Sequence, residues 1–89
     1  MVTLFARHSV SDYDAWRKVY DEFHQTRKQA GVTGEQVYQS ADDPNDVTLM
    51  LDFETIETAR DFPENTKLEA AYQQAGSLGA PAIWFATKT

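Results

Sequence analysis

The amino-acid sequence predicts an α+β fold with the element order βαββαβ. Three observations carry this. Val2 to Val10 alternates apolar and polar residues with a period of two, the mark of a half-buried strand. Asp12 to Ala30 repeats its apolar residues with the period of a helix. Two further alternating segments flank the turn sequence Asp42-Asp43-Pro44-Asn45, and a broken helical region precedes a last strand from Pro81 to Thr87. Elements in this order build one four-stranded antiparallel sheet with the helices on one face. The other face is then bare, so the chain is expected to need a partner. The 89 residues read as one domain, 1–89, with no repeat or linker.

Each element has a local reason. In the first strand Val2, Leu4, Ala6, His8 and Val10 share one face, and Thr3, Phe5, Arg7 and Ser9 share the other. Ser11 followed by Asp14 resembles a capping box that starts the first helix. Tyr13, Trp16, Tyr20, Phe23, Arg27 and Ala30 then form one stripe, with Val19 beside it. Asp14–Lys18, Arg17–Asp21 and Lys18–Glu22 pairs occupy the opposite face, and Gly31 supplies the left-handed residue that ends the helix.

Gly34 to Ser40 and Val47 to Phe53 read as a hairpin. In its second strand Val47, Leu49, Leu51 and Phe53 should face the helices. Thr55 caps a short helix that Pro63 stops. Thr66 with Glu69 opens a third helical segment, whose stripe is Leu68, Ala71, Tyr72 and Ala75 and whose end is Gly76. Ile83, Trp84 and Phe85 run consecutively in the last strand, which is expected to be covered on both faces.

Composition narrows the function. Hydrophobic residues make up 42% and aromatics 12%, enough for a core without staples. The absence of cysteine excludes disulfides, zinc-thiolate sites, iron–sulfur clusters and thiol nucleophiles. No apolar run reaches the roughly 18 residues of a membrane span, and no basic leader precedes the first strand. These features point to a soluble, cytoplasmic protein with no membrane partner. A formal charge of −6, with acids interleaved among the bases, argues against nucleic acid. Asp42, Asp43 and Asp46 lack the spacing of a calcium loop and read as a turn. No metal site is expected.

The stretches from His8 to Trp16, from Asp42 to Val47, and Ala75-Gly76 ahead of Pro81 resemble small bacterial dimeric α/β-barrel proteins. That ferredoxin-like superfamily holds the antibiotic biosynthesis monooxygenases and some polyketide cyclases. The resemblance spans nearly the whole chain. It implies a homodimer whose sheets pack face to face, with a cavity between sheet and helices in each subunit. It also implies oxygenation without a cofactor, aldol-type ring closure or haem binding as the activities to consider. The chain departs from the oxygenase pattern by ending its third strand on Phe53 rather than Trp, and by having no His from Asp61 to Gly76.

His8 is the sharpest candidate, a single imidazole on an otherwise apolar strand face. It could serve as general base near neutral pH, or as a structural histidine holding the Ser11 turn. Tyr72 could donate to a developing oxyanion, or simply pack with its hydroxyl at the rim. Trp84 could floor a pocket for a flat ligand or fill the dimer barrel, and Phe85, Tyr13 and Ala6 would complete the walls. Tyr13 and Trp16 also fit plain helix-on-sheet packing. Arg27, in the last turn of its helix, fits a dipole-complementing role better than anion binding. Arg7 and Asp52, on neighbouring strands, are expected to pair. His24 is expected to face solvent. Together these readings predict a small enzyme acting on a hydrophobic aromatic or polyketide-like metabolite without cofactor or metal. The competing expectations are a non-catalytic ligand-binding dimer and a purely structural one.

Overall fold

The computed structural model describes residues 1–64 and 76–89, with only the backbone of residues 64 and 77–80. Its elements are β1 (Val2–Val10), α1 (Tyr13–Glu22), α2 (His24–Gln29), β2 (Val32–Gln39), β3 (Asp46–Phe53), α3 (Ile56–Asp61), a 3-10 turn (Phe62–Glu64) and β4 (Ser77–Ala86). The strands form one antiparallel sheet in the order β2-β3-β1-β4. This is the ferredoxin-like α+β arrangement that the order of periods predicts. The segment containing the Thr66 cap and the Leu68–Ala75 stripe lies outside the described residues.

The core forms where the two periodicities meet. Leu4, Ala6 and Val10 of β1 and Val47, Leu49, Leu51 and Phe53 of β3 all point to one face, and Trp16 and Tyr20 of α1 press onto them. Phe62 reaches Phe53 edge-on, with ring centroids 5.5 Å apart. Truncating one such fully buried side chain, Leu51 for example, costs about 2–5 kcal/mol.

The first helix differs from the single span expected. It begins at Asp12, whose carboxylate accepts from the Asp14 N–H, so Asp12 rather than Ser11 is the cap. Ser11 instead closes the loop, its N–H donating to the Gly76 carbonyl. The helix then breaks at Phe23. The Tyr20 carbonyl accepts from the Phe23 N–H at 3.2 Å and from the Arg27 guanidinium at 2.6 Å. A carbonyl taken by the N–H three residues further on and by a buried cation fits a tightened last turn rather than the regular ladder. Arg17–Asp21 forms at 3.0 Å as the spacing predicts. Gly31 has φ 103, and a Cβ there would collide with Thr58.

Two irregularities in the sheet matter for the site. Between β2 and β3 the register slips at Thr33, so Val32 pairs with Phe53 but Glu35 with Leu51. One extra residue therefore puts both Val32 and Glu35 on the helix side. Between β1 and β4, Arg7 pairs with Ala82 and Ser9 with Leu78, which leaves Gly79, Ala80 and Pro81 opposite His8 alone.

The last strand corrects an expectation. β4 lies at the sheet edge, and Trp84 and Ile83 are 45% and 39% exposed, so this single chain does not cover it on both faces. The Arg7 partner is also different. Register sets Thr3, not Arg7, opposite Asp52, and the Thr3 hydroxyl donates to that carboxylate at 2.7 Å. Arg7 reaches diagonally to Asp46, with contacts of 2.6 and 3.0 Å. No described helix is long and apolar enough to cross a membrane.

Candidate functional site

β1 carries His8 onto the helix side of the sheet by simple alternation from Leu4 and Ala6. Its Cα pairs with Val47, and the side chain is buried, the residue being 9% exposed. The imidazole lies 5.5 Å from the Trp16 ring at an angle of 59°. Burial lowers its pKa below the ordinary histidine value, and the Asp46 carboxylate pulls weakly the other way. The ring is therefore held neutral at physiological pH, the form that accepts a proton. A general base needs that state, set among apolar walls that exclude water.

The walls are aromatic. Trp16 is fully buried, with Tyr13 5.9 Å away on one side and Tyr20 stacked 5.0 Å away on the other. Tyr13 is positioned by its backbone, whose N–H donates to the Asn45 side chain at 3.0 Å. Asn45 also accepts from the Val10 N–H at 2.8 Å, so the hairpin turn pins the entry to α1 beside His8. Ala6 lies buried two residues before His8, and Phe85, paired with Leu4, packs half-buried on the same side.

The structure thus sets His8, Ala6 and Phe85 on the helix side of the sheet, with Phe85 beside Leu4 and Tyr13 against Trp16. It does not bring Trp84 to them. Trp84 pairs with Phe5, and the two rings stack on the opposite face at 5.4 Å with an interplanar angle of 5°. Tyr72 lies outside the described residues. Trp16, read from the sequence as packing alone, is the aromatic neighbour of His8, and its period-3 spacing from Tyr13 was the available signal.

A second polar cluster was missed in the sequence. Arg27 is 1% exposed, and its guanidinium lies 3.5 Å from the Tyr20 ring centroid. Its Nε donates to Glu35 at 3.0 Å, the Tyr20 hydroxyl donates to the same carboxylate at 2.6 Å, and His24 stands 3.0 Å from it. Burial pushes the Glu35 pKa up, but the Tyr20 hydrogen bond and the Arg27 charge outweigh it, and the net shift is down. These residues line an open groove of about 480 Å³ beside β2, together with Arg17, Asp21, Gln36 and Val37. Arg27 is hence a buried ion-pair partner rather than a surface complement to the helix dipole, and His24, though exposed, is paired. Among the described residues no group of three or more His, Asp or Glu is placed to hold a metal ion.

No protein-family model and no curated protein sequence matches the chain. Solved structures do. A candidate antibiotic biosynthesis monooxygenase of Bordetella bronchiseptica superposes with a TM-score of 0.84 at 17% identity, covering 99% of this chain and 96% of that one. The chain shares their fold. SnoaB, a cofactor-independent oxygenase of Streptomyces nogalater, gives 0.74 at 14% identity over 99% of this chain and 94% of its own. The ActVA-Orf6 monooxygenase of Streptomyces coelicolor, solved with nanaomycin D, gives 0.72 at 17% identity over 99% and 87%. These structures have the ferredoxin-like fold expected from the sequence.

Proposed function

We propose that the chain is a small homodimeric enzyme that works without cofactor or metal on a hydrophobic aromatic or polyketide-like metabolite held between sheet and helices. The observation that carries this is His8: a buried imidazole, kept neutral by desolvation, on an otherwise apolar face walled by aromatic rings. Two oxygenases of the same fold support it, one described as cofactor-independent and one bound to nanaomycin D.

In this scheme His8 removes a proton from an activated C–H or phenol, and Tyr72 donates to the oxygen that becomes anionic. The carbanion reduces O2 and bonds to it, giving a peroxide that collapses to a carbonyl. One oxygen atom enters the product and the other leaves as water. The alternative outcome of the same enolate is attack on a carbonyl within the substrate, closing a ring. The dimer forms through the helix-free face, where the Phe5–Trp84 stack and Tyr38 stand exposed. Trp84 belongs to that contact rather than to the chamber.

Nanaomycin D and an anthrone test the scheme. Wild-type protein should quench its Trp16 fluorescence on binding nanaomycin D, and should consume oxygen with the anthrone. His8→Gln should bind the quinone normally but lose on the order of 10² in turnover, the usual worth of a positioned base. Unchanged turnover in His8→Gln refutes the base. Binding without turnover in the wild type makes the protein a ligand-binding dimer instead.

A further inference from the structure

Trp16 walls His8, yet no polar contact anchors its ring. The indole is fully buried, and among the described residues its Nε1–H meets no hydrogen-bond acceptor. Its place is set by the rings around it, and Tyr20 stacks on it at 5.0 Å with an interplanar angle of 25°. Tyr20 is anchored where Trp16 is not. Its hydroxyl donates to Glu35 at 2.6 Å, the Arg27 guanidinium lies 3.5 Å from its ring centroid, and Arg27 also donates to its carbonyl at 2.6 Å. A chain of contacts thus runs from Glu35, in the groove beside β2, through Tyr20 and Trp16 to His8, whose ring is 5.5 Å from the indole. Stacking by itself tolerates ring separations of about 4.5–7 Å and several offsets. A hydroxyl bonded to an ionised carboxylate is a short, directional tether.

We propose that Glu35 is a positioning residue for the His8 site: through the Tyr20 hydroxyl it fixes the ring on which Trp16 stacks, and so fixes the aromatic wall beside the imidazole. Its effect on turnover rests on the reading of His8 as a base, and its effect on the surroundings of the imidazole does not. A wall held in place keeps water from His8. Burial is the main cause of the low His8 pKa, and Asp46 is the described carboxylate that opposes it. Freeing Tyr20 from Glu35 lets the wall shift and admits water to the imidazole.

Tyr20→Phe tests this by NMR on the complete, labelled protein, because it keeps the ring and removes only the tether. Glu35 then retains Arg27 and His24 as partners. In the folded variant the His8 imidazole should titrate at higher pH than in the wild type, towards the ordinary value of about 6.5. The indole N–H resonance of Trp16 should move, while that of Trp84, stacked on Phe5 on the other face, should not. KM for the anthrone should rise about tenfold with kcat unchanged, the pattern of a lost binding wall. Glu35→Asp keeps the charge beside Arg27 but draws it back from the hydroxyl, and should move the His8 titration in the same direction; it decides the matter if Tyr20→Phe does not fold. A role in stability alone leaves the titration of the folded protein where it was. Unmoved His8 and Trp16 resonances in either folded variant therefore overturn the proposal. Moved resonances in a protein whose wild type consumes no oxygen with the anthrone support the role of Glu35 and overturn the reading of His8 as a base.

Discussion

Glu35→Gln should destabilise this protein more than Arg27→Met, although the two residues share one ion pair. The asymmetry comes from burial. The Arg27 side chain is 1% exposed and that of Glu35 19%. Two unit charges about 4 Å apart attract by about 4 kcal/mol at an effective dielectric constant of about 20. When Glu35 loses its charge, the buried guanidinium of Arg27 still cannot reach water. Among the described residues its guanidinium keeps the Tyr20 carbonyl at 2.6 Å and the Tyr20 ring at 3.5 Å. Leaving such a buried charge uncompensated costs about 3–5 kcal/mol. When Arg27 becomes Met, its stem still packs, and Glu35 retains the Tyr20 hydroxyl, His24 and some water. That loss should be about 1–2 kcal/mol. Urea denaturation followed by far-UV circular dichroism, at one protein concentration and pH 7, measures both. In a domain of this size Glu35→Gln should lower Tm by at least about 12 °C. The double variant should be more stable than Glu35→Gln alone. A cost under about 1 kcal/mol for Glu35→Gln, or a cost no larger than that of Arg27→Met, refutes the reasoning.

Two other outcomes follow from the same structure. The folded-state pKa of His8 lies below its unfolded value of about 6.5, so the unfolded chain binds the extra proton first on acidification. The stability contribution is complete above about pH 6.5 and is lost as the pH falls from there towards the folded pKa; the urea midpoint of His8→Gln should fall less than that of the wild type between pH 7.5 and 5, and parallel curves contradict the burial argument. Sedimentation at micromolar concentration should give a mass of two chains, and Trp84→Lys should give one chain with an unchanged circular dichroism spectrum. A monomeric wild type removes the proposed dimer.

The first three strands and the apolar stripe of the first helix were legible in the sequence because they are local. Side chains alternate along any strand and recur every three to four residues along any helix. Leu4, Ala6 and His8 had to share a face, and Trp16 and Tyr20 had to share a stripe, whatever the rest of the chain did. The end of α2 at Gly31 and the turn through Pro44 were local in the same sense. His8 could thus be singled out before any contact was known.

What depends on register between distant segments was decided only by the tertiary structure. The slip at Thr33 turns Glu35 towards the helices, where Arg27 and Tyr20 meet it, and alternation alone assigns no such slip. Gly34 permits it, since a Cβ there would press on the Asp52 carboxylate at 2.8 Å. Pairing of Thr3 with Asp52 sends Arg7 to Asp46, and pairing of Phe5 with Trp84 puts that indole on the far side of the sheet from His8. A shift of one residue in either pairing exchanges the two faces of a strand, and its energy comes from packing against parts of the chain tens of residues away. The period of each segment therefore determined which residues travel together, and the fit between segments determined which of them meet.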